Sequence, residues 1–439
     1  MDTPPLPTSD PTASALLAAR PHLAMHAMDG LLLEGMPLNA VADALGTPAW
    51  VYGAATLRRR LGELSAALAG LAAVQYAVKA NDHLAVLRIM AAGSAGADVV
   101  SGGELARARL AGIPAERIVF SGVGKSAEEL RAALAEGIAQ VNVESAAELA
   151  MLSGIAAAMG RTAPVVLRIN PDVDAGTHAK ITTGLAENKF GIAYAEAAAL
   201  YAHAATLPGL RPVGLALHIG SQITALAPYR AAFARAAALV RDLRAAGQTV
   251  TRMDCGGGLG IGYRDEPGAS PAAFAGALRA AFAGLDLHLM VEPGRWLVGP
   301  AGVLLASVVL TKNDGRIVVL DGAMTELLRP AMYDAWHGIL PLSAVRAAAP
   351  AGPVDVVGPV CESADTFARG RALPALLAGD RVALLDAGAY GAVMSSTYNA
   401  RPLAPIVLVD GDRACWATIR PRQRAEELWR AETVPDFLD

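Results

Sequence analysis

The sequence has only three cysteines, and they cannot form a disulfide framework. Cys255, Cys361 and Cys415 are odd in number and widely separated, and no C-x-x-C pair occurs. This pattern excludes a disulfide scaffold and a zinc finger, and the sequence predicts no metal site. It favours a reducing compartment, so we expect the protein in the cytoplasm.

A long hydrophobic run is also missing. The longest stretch without Asp, Glu, Lys or Arg covers residues 212–229, and it contains His218, Ser221 and Gln222. A membrane-spanning helix needs about 20 mostly apolar residues, so no membrane partner is predicted. The acidic, proline-rich start MDTPPLPTSDPTAS lacks the basic and apolar regions of a signal peptide. We predict a disordered, solvated tail over residues 1–27.

The charge balance lacks the basic excess of a nucleic-acid-binding protein. Acidic side chains number 41 and basic ones 37, which gives a formal charge of -4. A protein that follows phosphates along a strand needs the opposite sign, so no nucleic-acid partner is predicted. Hydrophobic residues make up 54% of the 439 residues and charged residues 18%. Such a chain can bury a large core, which excludes extensive disorder.

Short apolar runs alternate with alanine-rich helical stretches over residues 53–300. The runs cover 74–78, 97–100, 118–120, 140–143, 165–169, 213–219, 250–253 and 287–291. Continuous Val, Ile and Leu runs are typical of strands buried on both faces. Eight strand–helix units in about 250 residues predict an α/β fold, the (β/α)8 TIM barrel. An open doubly wound sheet is the alternative.

The pattern changes after Pro300. Strand-like runs at 303–310, 317–320, 354–358, 381–385, 406–409 and 415–419 are separated by Gly, Pro and Asp turns. They predict a second, mostly β C-terminal domain over residues 301–439, built as a sandwich or a small barrel. Residues 28–52 are expected to add one or more strands to this domain.

Polar residues follow nearly every predicted barrel strand. They are Lys79, Asp98, Ser121, Arg168, His218, Ser221, the glycines 256–258, Glu292 and Arg295. The carboxyl ends of the strands form the active-site face of a TIM barrel. The sequence therefore predicts a functional site at that face.

Lys79 directly follows the predicted strand QYAV. A lysine in a barrel mouth loses hydration, which lowers its pKa and leaves a nucleophilic amine able to form a Schiff base. Taken alone, a lysine at a strand end more often extends into solvent.

The segment DCGGGLGIGY lets backbone N–H groups approach a phosphate closely, although a tight bend explains it equally well. It does not match the dinucleotide pattern G-x-G-x-x-G, because the sixth position falls on Ile261 or Tyr263. The segment VFSGVGKS is not a P-loop, since Val119 stands where the first glycine is required.

Glu292 and Arg295 lie three residues apart across a Pro-Gly turn. Such a turn can direct a carboxylate and a guanidinium into one cavity, and arginine suits a phosphate or carboxylate by its bidentate geometry. A surface ion pair is the alternative. His218 alone would more often be a structural histidine, but its polar neighbours favour the site.

A second group of polar residues lies in the predicted β domain. Arg329 and Tyr333 are four residues apart in RPAMYDAWH and would share one helix face. Cys361 and Glu362 are adjacent, and Tyr390 lies in a Gly/Ala turn. Each also has a structural interpretation, as a helix surface pair, a buried thiol or a packed aromatic ring.

Taken together, these motifs resemble the diaminopimelate decarboxylases, a family of pyridoxal-phosphate enzymes of the alanine-racemase-like barrel group. The motifs are YAVKAN, GADVVSGGE, NPDVDAGTHAKITTG, ENKFGI, HIGSQI, GGGLG, VEPGR, RPAMYDAWH, GPVCES and AGAYG. The resemblance runs from about Gly35 to the C-terminus. Two motifs, NPDVDAGTHAKITTG and RPAMYDAWH, separate this family from the related ornithine and arginine decarboxylases.

The resemblance implies pyridoxal 5'-phosphate as cofactor and assigns residues to it. Lys79 would hold the cofactor covalently, His218 would stack on its ring, and Glu292 would pair with the pyridine nitrogen. The other implied cofactor contacts are Asp98, Arg168, Ser221, Gly256, Gly257, Gly258, Pro293, Gly294, Arg295 and Tyr390. Lys79, His218 and Cys361 would act in catalysis, with Cys361 as a candidate proton donor.

The resemblance also implies the substrate and the assembly. The reaction would convert meso-2,6-diaminopimelate to L-lysine and CO2, the last step of lysine biosynthesis by the diaminopimelate route. Arg295, Arg329 and Tyr333 would bind the distal carboxylate, Glu362 would accept the distal ammonium, and Tyr390 would contact phosphate and substrate. In relatives the Cys-Glu pair comes from the partner subunit, which implies a homodimer with shared active sites.

Three alternatives differ in the residues that they require. A sister barrel decarboxylase would act on ornithine, lysine, arginine or carboxynorspermidine, and the presence of both Arg329 and Glu362 disfavours it. A non-catalytic barrel that binds pyridoxal phosphate would be expected to have lost Lys79 or Cys361, and both are present. A nucleotide-binding dehydrogenase is disfavoured by the failed glycine pattern.

Overall fold

The computed structural model describes residues 10–174, 176 and 190–438. The chain divides into two compact units. The barrel unit comprises Leu57–Ile261 and Gly268–Val298, and the β unit comprises Met1–Thr56, Gly262–Pro267 and Gly299–Asp439. The short segment Gly262–Pro267 therefore belongs to the β unit, although it lies within the 53–300 range that the sequence assigned to the barrel.

Eight parallel strands form the barrel unit. They are Ala72–Ala77, Gly96–Val99, Ile118–Phe120, Gln140–Val143, Ala163–Asn170, Leu210–Leu217, Arg252–Asp254 and His288–Val291. Each pairs in parallel with the next, and the eighth pairs with the first, with Leu289 opposite Ala72. A two-residue strand, Ile192–Ala193, lies beside the fifth. The predicted TIM barrel is confirmed, and the open sheet is wrong because the ring closes.

The barrel strands are apolar because both of their faces are covered. All residues of Ile118–Phe120 and Gln140–Val143 are buried. The helices of this unit are Ala54–Ala67, Leu84–Ala92, Gly102–Leu110, Ala127–Glu136, Ala146–Ala158, Tyr194–Ala204, Ala227–Ala245, Pro271–Phe282 and the short Arg295–Val298. Local sequence signals fix the ends of these helices. For example, Ala127–Glu136 begins at a capping box of Ser126 with Glu129 and ends at Gly137, which is in the left-handed conformation.

The β unit is built on a second sheet. Its strands in sheet order are Thr366–Pro374, Ala351–Val357, Ile317–Leu320, Gly302–Lys312, Ala49–Gly53, Ile406–Asp410 and Cys415–Arg420. Arg381–Leu384 pairs with Gly302–Lys312 and also with Ile339–Pro341. The strand Ala49–Gly53 precedes the barrel in sequence and is fully buried in this sheet. The unit also contains the short helices Leu38–Leu45, Arg329–Tyr333 and Ala344–Ala347.

After residue 300, two strands of the β unit were not predicted, Ile339–Pro341 and Thr366–Pro374. The first contains a proline and is only three residues long. The second carries Arg369, Gly370 and Arg371, and its pairing register shifts twice. Irregular strands of this kind lack the continuous apolar pattern by which strands are recognised.

The N-terminal segment differs from the disordered tail predicted for residues 1–27. Within its described part, from residue 10, a helix covers Ala13–Ala18 and a strand covers Leu23–His26, followed by Gly30–Leu33 and Met36–Pro37. Leu16 and Leu23 are buried in an apolar cluster of the β unit. Their burial supplies the free energy that orders the segment, and a pattern of isolated leucines does not reveal it.

Among the described residues, no helix combines the length and the apolar character needed to cross a membrane.

Candidate active site

Lys79 lies where the first barrel strand ends, in the single helical turn Val78–Ala80. Its Nζ donates a hydrogen bond to Oδ2 of Asp98, a fully buried carboxylate in the second strand. The Lys79 side chain is 35% exposed. The position agrees with the sequence prediction, but the surroundings differ from the expected desolvated amine, because an ion pair with a buried carboxylate holds the side chain.

Glu292 and Asp254 form a buried acidic pair at the ends of the eighth and seventh strands. Asn142 Nδ2 donates to Asp254 Oδ2 at 2.9 Å, and Ser121 Oγ donates to Glu292 Oε1 at 3.3 Å. Burial and then the Asp254 charge raise the pKa of Glu292 well above its ordinary value. Burial also raises the pKa of Asp254, but hydrogen bonds from Glu292, Asn142 and the Gly256 N–H oppose this. Of the two carboxyl groups, Glu292 therefore binds a proton more readily.

His218 follows the sixth strand and lines the same cavity. Burial lowers its pKa well below the ordinary value, and the nearby charges of Arg168 and Lys79 lower it further. Its Nδ1 accepts a hydrogen bond from the Gly257 N–H at 3.3 Å, so the single proton of the neutral ring is on Nε2. The ring is thus a neutral, oriented plane.

The glycine run after the seventh strand makes a turn that only glycine allows. Gly256 and Gly258 have φ of 68° and 93°. A Cβ on Gly257 would lie 2.0 Å from the carbonyl oxygen of Glu292, and one on Gly256 would lie 2.2 Å from that of Leu217. The backbone is therefore packed against the ends of two neighbouring strands, as a close-approach turn requires.

The turn that carries Arg295 packs against the lysine turn. Ala77 N donates to Pro293 O at 3.1 Å, and a Cβ on Gly294 would lie 2.9 Å from that of Ala80. Arg295 is buried, and its Nη2 donates to Ser221 Oγ at 3.1 Å. Arg295 is therefore a buried residue bonded to Ser221 and not part of the surface ion pair that was the alternative.

Arg168 is oriented by Glu144, a residue that the sequence reasoning missed. Arg168 Nη1 lies 2.7 Å from Glu144 Oε1, and the Glu144 carboxylate also accepts from the N–H groups of Gly122 and Gly191, each at 3.1 Å. Glu144 therefore joins the segments that follow three successive strands. Glu144 directly follows the fourth strand, and this position in the sequence could have identified it as a site residue. The same holds for Asp254, which ends the seventh strand.

Some of these residues, including Lys79, His218 and Glu292, line one cavity of about 440 Å³ at the carboxyl ends of the strands, whereas Asp98, Ser221 and Arg295 are not among its lining residues. Its polar lining is Lys79, Ser121, Asn142, Arg168, His218 and Glu292, and its apolar lining includes Val100, Phe190, Ala216 and Leu217. A small organic molecule fits such a mixed, concave site.

The donor set fits pyridoxal 5'-phosphate. An amine for an aldehyde is present in Lys79, an acid for a ring nitrogen is present in Glu292, and Ser221 and Arg295 supply a hydroxyl and a guanidinium for a phosphate. Among the described residues, Oδ1 of Asp98 is buried without a hydrogen-bond partner. Asp98 thus retains an acceptor beside Lys79 for a bound group to use.

Glu104 is a further titratable group near the Lys79–Asp98 pair. Its Oε2 accepts from the Val100 N–H at 2.8 Å, and burial raises its pKa to about 7 from 4.5. The folded protein therefore binds more protons than the unfolded chain between these values, so its stability falls as the pH rises through this range. We expect Glu104→Gln to remove roughly 2 kcal/mol of the pH dependence of the free energy of unfolding.

Urea unfolding at about pH 5 and pH 8 measures the change in the free energy of unfolding. The control variant is Glu63→Gln, because Glu63 is exposed. An equal pH dependence in the wild type and in Glu104→Gln would contradict the role given to burial of Glu104.

The predicted residues of the β unit form two groups. Arg329 and Tyr333 lie at the two ends of the helix Arg329–Tyr333, with Arg329 buried and Tyr333 half-buried. Cys361 and Glu362 are exposed. Arg329 and Glu362 thus have different surroundings within the unit, one in its interior and one at its surface.

The interpretation of Cys361 as a buried thiol is wrong. The buried thiol is Cys255, whose pKa burial raises well above its ordinary value.

Tyr398 and Asn399 hold the Cys361–Glu362 segment, and sequence reasoning did not single them out. Tyr398 OH donates to Glu362 Oε1 at 2.9 Å, and the Cys361 N–H donates to Asn399 Oδ1 at 3.5 Å. The hydrogen bond to Glu362 raises the pKa of Tyr398.

Tyr390 lies in the predicted turn with a φ of 55°, a strained value for a non-glycine residue.

Two quoted motifs extend beyond the described residues. Residues 175 and 177–184 of NPDVDAGTHAKITTG and residues 187–189 of ENKFGI lie outside them.

Comparison with known proteins identifies relatives over nearly the whole chain. Residues 54–299 match the family model of the pyridoxal-dependent decarboxylases, pyridoxal binding domain. A diaminopimelate decarboxylase of Zymomonas mobilis is 47% identical over 416 residues, covering 93% of this chain and 98% of the relative.

Solved structures agree with this similarity. The diaminopimelate decarboxylase of Helicobacter pylori in complex with L-lysine has a TM-score of 0.86 at 39% identity, covering 90% of this chain and 99% of that one. The corresponding enzyme of M. jannaschii with L-lysine has a TM-score of 0.90 at 33% identity, covering 96% and 100%.

Proposed function

The chain belongs to the pyridoxal-dependent decarboxylases, and from this premise we infer that it converts meso-2,6-diaminopimelate to L-lysine and CO2 with pyridoxal 5'-phosphate as cofactor. This is the final step of lysine biosynthesis by the diaminopimelate route. The observation that carries the inference is the cavity in which Lys79, His218 and Glu292 meet, in a chain that is similar to a diaminopimelate decarboxylase over 93% of its length.

Bound pyridoxal phosphate supplies an electron sink that accepts the electron pair left on carbon when CO2 departs. Lys79 would hold the cofactor, and its ion pair with Asp98 positions the amine. Glu292, whose pKa is raised by burial and by the Asp254 charge, would face the pyridine nitrogen, so that a proton shared between the two groups would leave positive charge at the ring nitrogen. The neutral ring of His218 would lie against the cofactor, where it adds no positive charge to compete with that at the ring nitrogen.

The other predicted residues would bind the two ends of the ligands. Ser221 and the turn at Gly256–Gly258 would receive the phosphate, with Arg295 between phosphate and substrate. Asp98 and Arg168 would support the lysine, Pro293 and Gly294 would hold the turn beside it, and Tyr390 would contact phosphate and substrate. Arg329 and Tyr333 would bind the distal carboxylate and Glu362 the distal ammonium. A substrate that lacks the distal carboxylate would leave the buried guanidinium of Arg329 unpaired, which is costly.

The substrate assignment is tested with purified protein supplied with pyridoxal phosphate. Meso-diaminopimelate, ornithine, lysine and arginine are assayed in parallel. Turnover of diaminopimelate alone is expected. Turnover of another substrate would refute the assignment of Arg329 and Glu362 while leaving the cofactor site intact.

The homodimer is also part of this proposal, with Cys361 and Glu362 completing the partner's active site. Both residues are exposed in the β unit, and so are the apolar side chains of Trp429, Val434 and Phe437 near the C-terminus. Such side chains are suited to an interface between subunits. A cytoplasmic location belongs to the same proposal, because the exposed thiols of Cys361 and Cys415 persist in a reducing compartment.

Mixing two inactive variants tests the shared sites. Exchanged dimers of Lys79→Ala and Cys361→Ala contain one intact site, so an equal mixture should recover about a quarter of wild-type activity. In the control, Lys79→Ala subunits are exchanged with subunits that carry both Lys79→Ala and Cys361→Ala. This mixture should recover no activity. No recovery in the first mixture, with subunit exchange verified by mass, would contradict the shared site.

A further inference from the structure

Arg329 is held by a neighbouring histidine in the β unit. Its Nη1 lies 2.7 Å from Nε2 of His337, eight residues further along the chain. Both side chains are buried, with 5% of Arg329 and 1% of His337 exposed. A contact this short between two nitrogens requires that one of them accepts the hydrogen bond, and a guanidinium has no acceptor.

The other ring nitrogen fixes the protonation of His337. Its Nδ1 lies 2.7 Å from the carbonyl oxygen of Leu385. A carbonyl oxygen can only accept, so Nδ1 carries the proton and Nε2 has the lone pair that accepts from Arg329. His337 is therefore a neutral ring held at both nitrogens, and it fixes the direction of the guanidinium.

Tyr263 completes the support of Arg329. The guanidinium carbon of Arg329 is 4.8 Å from the centre of the Tyr263 ring, and the His337 ring packs on the same tyrosine edge-on at 5.4 Å. Arg20 anchors the tyrosine backbone, since its Nη2 donates to Tyr263 O at 2.7 Å. The His337 backbone is anchored by Arg371, whose Nη1 donates to its carbonyl oxygen at 2.7 Å.

We propose that His337 is a positioning residue for substrate selection, which orients Arg329 toward the distal carboxylate of diaminopimelate. This proposal rests on the proposed function, because it takes from it the role of Arg329. The chemical class that the pair selects is an amino acid with an α-carboxylate at the end away from the reacting carbon. L-Lysine, the product, retains that carboxylate, whereas 1,5-diaminopentane lacks it.

The choice of a histidine has a physical reason. A carboxylate partner would orient the guanidinium equally well but would neutralise its charge. A neutral imidazole orients Arg329 and leaves its positive charge for the ligand, in surroundings where burial strengthens charge–charge attraction. Holding the guanidinium in place before the ligand arrives also lowers the entropy cost of binding.

Two substitutions separate orientation from packing. His337→Asn keeps a donor for the Leu385 oxygen but leaves no acceptor in reach of Arg329. His337→Gln places an amide oxygen near the position of Nε2 and restores that acceptor. Dissociation constants of L-lysine and of 1,5-diaminopentane are measured by calorimetry on the holoenzymes, whose cofactor content is checked by absorbance.

We expect His337→Asn to weaken L-lysine binding about tenfold and to leave 1,5-diaminopentane binding within about twofold. His337→Gln should recover most of the L-lysine affinity. In turnover, His337→Asn should raise the KM for diaminopimelate about tenfold and change kcat little, because an orientation of the distal carboxylate affects ground state and transition state alike.

Unchanged L-lysine affinity in His337→Asn would overturn the proposal, and so would an equal weakening of both ligands, which indicates general damage to the site. Failure of the proposed function is seen separately, since wild-type protein would then not turn over diaminopimelate. A normal L-lysine affinity in Arg329→Lys would remove the role of Arg329 on which the proposal rests. If His337→Asn does not fold, Tyr263→Leu is measured against the same two ligands, with the same expected selective loss.

Discussion

Replacement of Lys79 by alanine is expected to abolish turnover of diaminopimelate, with a loss in kcat of at least about 10,000-fold. Lys79 is the only lysine among the residues that line the described cavity. Without it the cofactor has no covalent attachment, and Asp98 is left as a buried carboxylate without the ammonium that it accepts from in the wild type. The variant should therefore also bind pyridoxal phosphate more weakly.

Lys79→Arg separates the covalent role of Lys79 from its charge. A guanidinium retains the ion pair with Asp98 but cannot attach the cofactor, so this variant should fold like the wild type and be equally inactive. Lys312→Ala, at the end of the exposed strand segment of the β unit, is the control and should be fully active. Borohydride reduction of the holoenzyme, followed by peptide mass analysis, should place the label on Lys79. Substantial turnover by Lys79→Arg would contradict the covalent role.

Glu292→Gln is expected to lower kcat by about 100- to 1,000-fold while the protein still binds the cofactor. An amide keeps an acceptor for the Ser121 hydroxyl, which donates to Glu292 at 3.3 Å. It removes a titratable group whose pKa is raised by burial and by the Asp254 charge. The ring nitrogen would then lose its acid partner, and the cofactor would be a weaker electron sink.

The measurement is kcat together with the cofactor absorbance of each holoenzyme. Glu326→Gln is a matched control, because Glu326 is also a buried acid whose pKa burial raises, but it lies in the β unit. A loss of activity in Glu292→Gln that is explained by lost cofactor alone would contradict the electronic role of Glu292.

Much of this architecture could be predicted from the sequence because buried parallel strands carry a strong local pattern. The eight barrel strands are continuous apolar runs, and a closed barrel places their carboxyl ends on one face. That rule was enough to bring Lys79, Asp98, His218 and Glu292 into one candidate site. The plain alternatives, a lysine extended into solvent or a histidine of the core, were disfavoured because polar residues follow nearly every predicted barrel strand.

The pairings inside the site could not be predicted in the same way. Glu144 with Arg168 and Asp254 with Glu292 join residues from different strands, and their contacts depend on side-chain directions that a local pattern does not encode. The protonation of His337 depends on a carbonyl 48 residues away. The N-terminal helix was missed because its order comes from burial of Leu16 and Leu23 in the β unit rather than from its own sequence.

The most direct test of the account follows both carboxyl carbons of the substrate. Meso-diaminopimelate labelled with ¹³C in both carboxylates is supplied to the holoenzyme in deuterated water. One labelled CO2 is expected for each lysine formed, with the other label retained in the lysine and one deuterium on the carbon that lost its carboxylate. Diaminopimelate that gains deuterium without releasing labelled CO2, or that remains unchanged, would contradict it.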